Sequence, residues 1–480
     1  MSLTTELTPI IGGKPYRVGA PLTVVEPATG EHLGEVPDVG ATGVAAAVAS
    51  ARAALPAWAA MTPKDRATAL LGVADVLEQH ADHFAELEAR DVGKPLSAAR
   101  AEMLSAADKY RFFAGSARSM TAAQAGEYKP GTTSLVRREP LGVVAALAPW
   151  NYPMGLTSWK IGPALAAGNT VVLKPALDSS LTALLLAELT VDVLPTGVLN
   201  VITGDGPTTG AALATHPGVD MVSLTGGTGT GRRIMELAST TLKKVHLELG
   251  GKAPVLIYDD ADLDLVAQVL RGAVYRNSGQ DCTAATRVYT SPSRRDDVVD
   301  MLVAIASDIK VGNGFLDPSV EMGPVVSFAH RERVEGFVRR AVAKGARAAA
   351  GFSRPHMDGA YVSPTVVVDV DQSDEIVQEE IFGPVVAVST FDDHEDAIAK
   401  ANDVAYGLAA SVWTKDIDRA LDAARRIQAG TVWINDHGPT AAEMPFGGYK
   451  QSGVGRDLSL HAIEDHSQLK HVAITHRSFV

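Results

Sequence analysis

The sequence predicts an α/β protein with two domains, each built on a largely parallel sheet covered by helices. Three observations carry that prediction. Residues 41–120 are alanine-rich with helical periodicity; short apolar runs at 142–147, 170–173, 198–202 and 221–224 alternate with turns and helix-compatible segments; and the alternation resumes beyond residue 251.

In chain order, strand-like segments lie near 17–25 and 32–36, ahead of the helical block. Pro56, Pro63 and Pro95 interrupt that block, because proline cannot donate to the helical ladder. The four apolar runs are short and continuous, as strands buried on both faces require. The fourth leads into a glycine-rich turn, Thr225 to Gly231, and a helix over 232–238. Further strands are expected at 255–258, 287–290, 365–370, 385–391, 409–413 and 431–435, with helices at 262–277, 294–309, 329–344 and 417–429. Neither a low-complexity linker nor a short repeat is present.

The 480 residues allow two or three domains, and 46% hydrophobic residues can bury a large core. A formal charge of −13 disfavours nucleic acid and anionic membranes as partners. Met1 to Glu6 lack the pattern of a signal peptide, no run of 18 apolar residues occurs, and cysteine is nearly absent; a cytoplasmic protein is expected.

The single cysteine, Cys282, cannot form an internal disulfide or a thiolate cluster. It is either a small buried hydrophobe or a nucleophile, and its polar neighbours Gly279, Gln280, Asp281 and Thr283 favour the nucleophile. Asn151 stands between Pro149 and Pro153 just after a strand, where its amide can donate to an oxyanion or simply make a turn. Glu248, beside Gly250 and Gly251, is a candidate general base or an ion-paired glutamate. The glycines of 225–231 let a backbone approach phosphate at a helix start, or merely make a tight turn. Lys174, closing the 170–173 strand, is a second nucleotide candidate or a solvated lysine.

Together these segments resemble the aldehyde dehydrogenase superfamily. Pro149 to Pro153, Lys174-Pro175, the glycine turn, Glu248 to Lys252, Gly279 to Cys282, Glu380 to Pro384 and Pro445 to Lys450 occur in that family's order across nearly the whole chain. Asn277 to Ala284 and Asp457 to Leu460 look closest to the bacterial γ-aminobutyraldehyde dehydrogenases.

The resemblance implies a Rossmann-type cofactor domain of residues 1–118 and 141–250 and an α/β catalytic domain of 251–455. It also implies a small β oligomerisation element of 119–140 and 456–480, and hence a homodimer or homotetramer. It implies NAD, with NADP as a second candidate, held by Pro149, Trp150, Lys174, Ala176, Leu177, Gly206, Gly210, Thr225, Gly226, Gly227, Gly231, Leu249, Gly250, Glu380 and Phe382. Cys282 would attack the aldehyde, Asn151 would hold the oxyanion, and Glu248 would activate water to hydrolyse the thioester.

Two residues depart from the family pattern: Leu177 replaces the usual glutamate on the adenosine ribose, and Gly227 replaces a serine. For the substrate, Asp108 and Asp281 are the expected anionic contacts. Tyr152, Trp159, Thr283 and Phe446 complete an acidic and aromatic tunnel suited to 4-aminobutanal. Betaine aldehyde and succinic semialdehyde are the alternatives; the latter needs cationic groups in the tunnel, and none is identified. A catalytically silent protein on the same fold is the remaining alternative.

Overall fold

The computed structural model describes residues 7–120 and 124–476. The hexapeptide read above for a leader, and residues 121–123 and 477–480 of the expected oligomerisation segments, lie outside that range.

Five parallel strands form the centre of the first sheet, in the order Lys244–Glu248, Met221–Thr225, Val143–Ala148, Thr170–Pro175 and Leu199–Val201. Their apolar continuity follows from burial on both faces. Val144, Ala146 and Ala148 pack into one core, whereas Val143, Ala145 and Leu147 pack into the other, as a two-residue side-chain period demands. Helices Pro63–Gln79 and Leu96–Ser119 cover the first face and Gly40–Ala60 the second. Gly40–Ala60 is long and apolar enough to cross a bilayer by composition alone, but Val44, Ala47, Val48 and Ala51 are buried in the core of this sheet.

The second sheet has seven strands, all parallel except the edge strand Arg347–Ala350, with Ala253–Ile257 and Ala285–Thr290 adjacent near its middle. A third, antiparallel sheet joins Ser467–Thr475, Thr132–Pro140 and Ala125–Lys129. The expected fold class is therefore present: a Rossmann-type sheet, a second α/β sheet and a small β element.

One connection was not foreseen. Gly453–Val454 returns to the first sheet and pairs antiparallel with Lys244–Glu248, setting Gly453 opposite Glu248. The loops that follow Ala148 and Glu248 meet the segment that enters Ala285–Thr290, through Asn151 on Gln280 and Gly251 on Cys282, and Cys282 lies on that segment.

Candidate active site

Three successive residues before the cysteine, Asn277, Ser278 and Gly279, have left-handed backbones with φ of 52°, 59° and 68°. Two of them carry side chains, so the turn costs about 1–2 kcal/mol at each. Buried hydrogen bonds offset that cost. Asn277 Nδ2 donates to Asn151 O at 2.7 Å, Ser278 Oγ donates to Gly323 O at 2.8 Å, and Gln280 Nε2 donates to Asn277 O at 2.9 Å. Val326 N–H donates to Gln280 Oε1 at 2.8 Å, tying the turn to a neighbouring loop.

Asn151 is buried, and its Nδ2 donates to Gln280 O at 3.1 Å, so the amide is oriented towards the cysteine loop. Gly251 seats that loop from the other side: a Cβ there would stand 2.0 Å from Cys282 O. Asn151 and Cys282, 131 residues apart in the chain, are thus brought to one place.

The thiol is half-buried, and burial, then Asp281, Glu380 and Glu248, push it well above its ordinary range. Glu248, at the end of its strand, is buried with neither carboxylate oxygen hydrogen-bonded; burial and then Asp457 raise it strongly. Asp457 is itself paired with Lys160 at 2.8 Å, both fully buried. Lys160 escaped sequence reasoning, although a lone charge in the otherwise apolar helix Pro153–Ala166 was a visible signal.

A cavity of about 390 Å³ opens at Cys282, with Tyr152, Trp159, Asp281, Thr283 and Phe446 in its wall. Trp159 and Phe446 meet edge to face at 5.1 Å. Asp281 accepts from Tyr152 Oη at 2.8 Å, from Thr283 N–H at 2.8 Å and from Thr283 Oγ1 at 2.7 Å.

Asp108 does not belong to this wall. Helix Leu96–Ser119 turns Ala98, Ala101, Glu102, Ser105 and Lys109 to the cavity; Asp108, one turn beyond Ser105 on the same flank, is exposed and is not among the residues that line it. The expectation that no cationic group lines the tunnel is also corrected, because Lys94, Lys109 and Arg276 all do. Lys94 is compensated: it pairs with Glu88 at 3.0 Å and with Glu102, and its ammonium lies 4.8 Å from the Tyr152 ring centre. Burial alone would lower Lys94, but Glu102 and Glu88 hold it above its usual range. Lys94 was hard to find in sequence because it lies outside every motif read there, whereas Arg276 directly precedes the Asn277 to Ala284 segment and was passed over.

The nucleotide candidates gather at the ends of the first-sheet strands. Helix Thr228–Ser239 starts at Gly227 with no side-chain cap and no acidic residue in its first turn, and nothing lies within 4 Å of where a Cβ on Gly227 or Gly229 would stand. Its free N–H groups and open approach suit an anionic phosphate. Gly226 N–H is used internally, donating to Glu248 O at 3.0 Å, and Gly231 packs on Leu249. Thr225 Oγ1 is buried without a partner.

Buried Lys174 donates only to Pro175 O at 2.9 Å, and burial lowers it to about 8; Gly210, in the turn Gly206–Gly210, packs near its methylenes. Ala176 N–H donates to Ala148 O at 2.9 Å, while Leu177 packs into the core. Glu380 accepts from Gly251 N–H at 2.9 Å, and a Cβ on Gly250 would stand 2.4 Å from its carboxylate; burial raises Glu380 to about 7. After Pro149, Trp150 meets Phe382 edge to face at 5.2 Å. The orphaned Thr225 hydroxyl and the buried Lys174 ammonium, with an uncapped helix start, fit a dinucleotide.

Residues 17–472 match the aldehyde dehydrogenase family. Betaine aldehyde dehydrogenase from Staphylococcus aureus, solved in complex with NAD+, is 37% identical, with a TM-score of 0.97 over 100% of this chain and 97% of that one. A variant of aldehyde dehydrogenase from Bacillus cereus is 40% identical, with a TM-score of 0.97 over 99% of this chain and 98% of that one.

These similarities overturn the closer resemblance to γ-aminobutyraldehyde dehydrogenases drawn from Asn277 to Ala284 and Asp457 to Leu460. The physical reason is that those motifs do structural work. Asn277, Ser278 and Gln280 brace the left-handed turn, Asp457 is consumed by Lys160, and Leu458 and Ser459 make another left-handed turn.

Proposed function

The chain belongs to the aldehyde dehydrogenase family, and we propose that its substrate is an aldehyde with a permanent positive charge, betaine aldehyde being the simplest. Its activity is the oxidation of an aldehyde to a carboxylic acid through a catalytic cysteine, with NAD as cofactor.

Asp281 carries the substrate reading. Its carboxylate lies in the cavity wall, receives hydrogen bonds only from the neutral donors of Thr283 and Tyr152, and has no ion pair among the described residues. No cation among the described residues is paired with its negative charge, while three donors already occupy much of its accepting capacity. A quaternary ammonium suits that combination, since it needs charge and aromatic faces but no hydrogen bond, and Tyr152, Trp159 and Phe446 supply the rings. Arg276 favours a second reading, an aldehyde with a terminal carboxylate, because it lines the same cavity without a hydrogen-bonded acid among the described residues.

In the proposed chemistry, Cys282 as thiolate attacks the aldehyde carbon, with the Asn151 amide and the Cys282 N–H holding the oxyanion. NAD, when bound by the Lys174, Thr225 and Glu380 cradle, supplies the hydride acceptor. Glu248 then takes a proton from the water that attacks the thioester, and Cys282 leaves as thiolate. Because burial raises both the thiol and Glu248, their reactive ionised fractions grow as pH rises.

The test is kcat/KM with NAD for betaine aldehyde, its neutral isostere 3,3-dimethylbutanal, and succinic semialdehyde. Preference for betaine aldehyde over the isostere supports the reading. Preference for the isostere ends it, and preference for succinic semialdehyde moves the assignment to Arg276.

A further inference from the structure

Glu248 shares its strand face with His246, two residues earlier, because side chains alternate along a strand. His246, Glu248 and Asp457 each present a polar atom within 4.8 Å of the others, and all three are buried. Within that group His246 Nε2, both Glu248 oxygens and Asp457 Oδ1 lack a hydrogen-bond partner. The cluster is no cation site, since the Lys160 ammonium already stands 2.8 Å from Asp457 Oδ2.

His246 Nδ1 lies 3.1 Å from Ser223 Oγ, and Nε2 lies 3.7 Å from Asp457 Oδ1. A hydroxyl can serve either ring nitrogen state, but a carboxylate can only accept. The tautomer with hydrogen on Nε2 therefore pairs Nδ1 with the Ser223 hydroxyl and turns the Nε2–H dipole towards Asp457 Oδ1, which at 3.7 Å is beyond hydrogen-bond distance.

We propose that His246 is a positioning residue for the hydrolytic half of the reaction: its neutral imidazole directs Nε2–H at the Asp457 and Glu248 carboxylates, favouring ionised Glu248. The inference rests on Glu248 being the base that hydrolyses the thioester. Burial, then Lys160, keeps the ring uncharged, so it acts as a donor rather than a counter-ion. The charged and titratable groups facing this cluster are Lys160 from its helix, Lys244 on the same strand, the Cys282 thiol, Arg456 from the loop after Gly453–Val454, and Asp465 and His466 beyond it. His466 is itself lowered by burial to about 3 and stays neutral, its ring 5.8 Å from that of His246.

Removing a donor that favours a carboxylate raises that carboxyl group's pKa. In His246→Leu the ascending limb of the thioester hydrolysis rate, followed after the first turnover, is expected to move up by about one pH unit, a roughly tenfold loss below the limb. The first-turnover burst of NADH keeps its rate, because that step precedes hydrolysis. His246→Gln, whose amide restores a donor, is expected to return the limb most of the way, and it serves as the probe should the leucine variant not fold. Ser223→Ala, which frees the tautomer, is expected to give a smaller shift of the same sign.

An unmoved limb in His246→Leu, or a shift in it that His246→Gln does not reverse, overturns the proposal. Glu248→Gln separates the two levels: if it hydrolyses the thioester at the wild-type rate, the base assignment fails. If it stalls while the His246 variants keep the wild-type limb, only this inference fails.

Discussion

Replacing Asp281 with asparagine removes one charge from the cavity while keeping the shape of the side chain. The amide oxygen can still accept from Thr283, and the amide nitrogen can donate to Tyr152 Oη, so the local bonds at 2.7 and 2.8 Å have replacements. What is lost is long-range attraction. With an effective dielectric near 20 and a separation of roughly 8 Å, that attraction is about 2 kcal/mol, or about thirtyfold in kcat/KM. Betaine aldehyde should lose that factor, whereas 3,3-dimethylbutanal, equal in shape and uncharged, should lose little.

The same change acts on the nucleophile in the opposite direction. Asp281 is the second-largest cause, after burial, holding the Cys282 thiol up, so its neutralisation lowers the thiol pKa and raises the thiolate fraction at any pH below it. The isostere should therefore react as fast or faster at pH 6–7. The assay is kcat/KM for both substrates across pH in wild type and Asp281→Asn. Equal losses on the two substrates would refute the reasoning and make Asp281 a loop residue serving Thr283 and Tyr152.

Further expectations concern the cofactor and assembly. Leu177→Glu should shift the ratio of specificity constants towards NAD and away from NADP, by adding an anion near Lys174; an unchanged ratio contradicts the placement of Leu177 by the adenosine ribose. Glu380 is raised by burial to about 7, so it is increasingly protonated below that pH and should hold NAD less well there; calorimetric Kd against pH should show a step near 7 that Glu380→Gln abolishes. Ala125–Lys129 and Ser467–Thr475 are the two edges of a three-stranded sheet with exposed Tyr128, Leu469 and Ile474, so sedimentation at micromolar concentration should show a dimer or tetramer rather than a monomer.

The parts of this molecule legible in sequence were those where burial is uniform. Val143–Ala148, Met221–Thr225 and Ala409–Trp413 read as strands because nearly every position is apolar. Lys244–Glu248 was not read as a strand, since Lys-Val-His-Leu-Glu alternates polar with apolar residues, and His246 and Glu248 on its polar face are buried rather than exposed to water. Gly453–Val454, two residues long, carries no pattern at all.

At the site, Cys282, Asn151 and Tyr152 were legible through local turns and prolines that fix one loop each. Asp108 shares a helix flank with Ala101 and Ser105 yet is exposed and outside the cavity lining, a depth that motif reading does not set. Lys160, Arg276 and His246 acquire their places only when segments over a hundred residues apart meet, as when Lys160 reaches Asp457.

The most direct test of the account is peptide mass spectrometry on the Glu248→Gln enzyme, quenched after one turnover with NAD and aldehyde. Each subunit should carry one acyl group, mapped to the Cys282 peptide and persisting long enough to isolate, while Cys282→Ser should show neither adduct nor NADH. An adduct on any other residue, or turnover by the serine variant, would contradict the assignment of the chain's single thiol as its nucleophile.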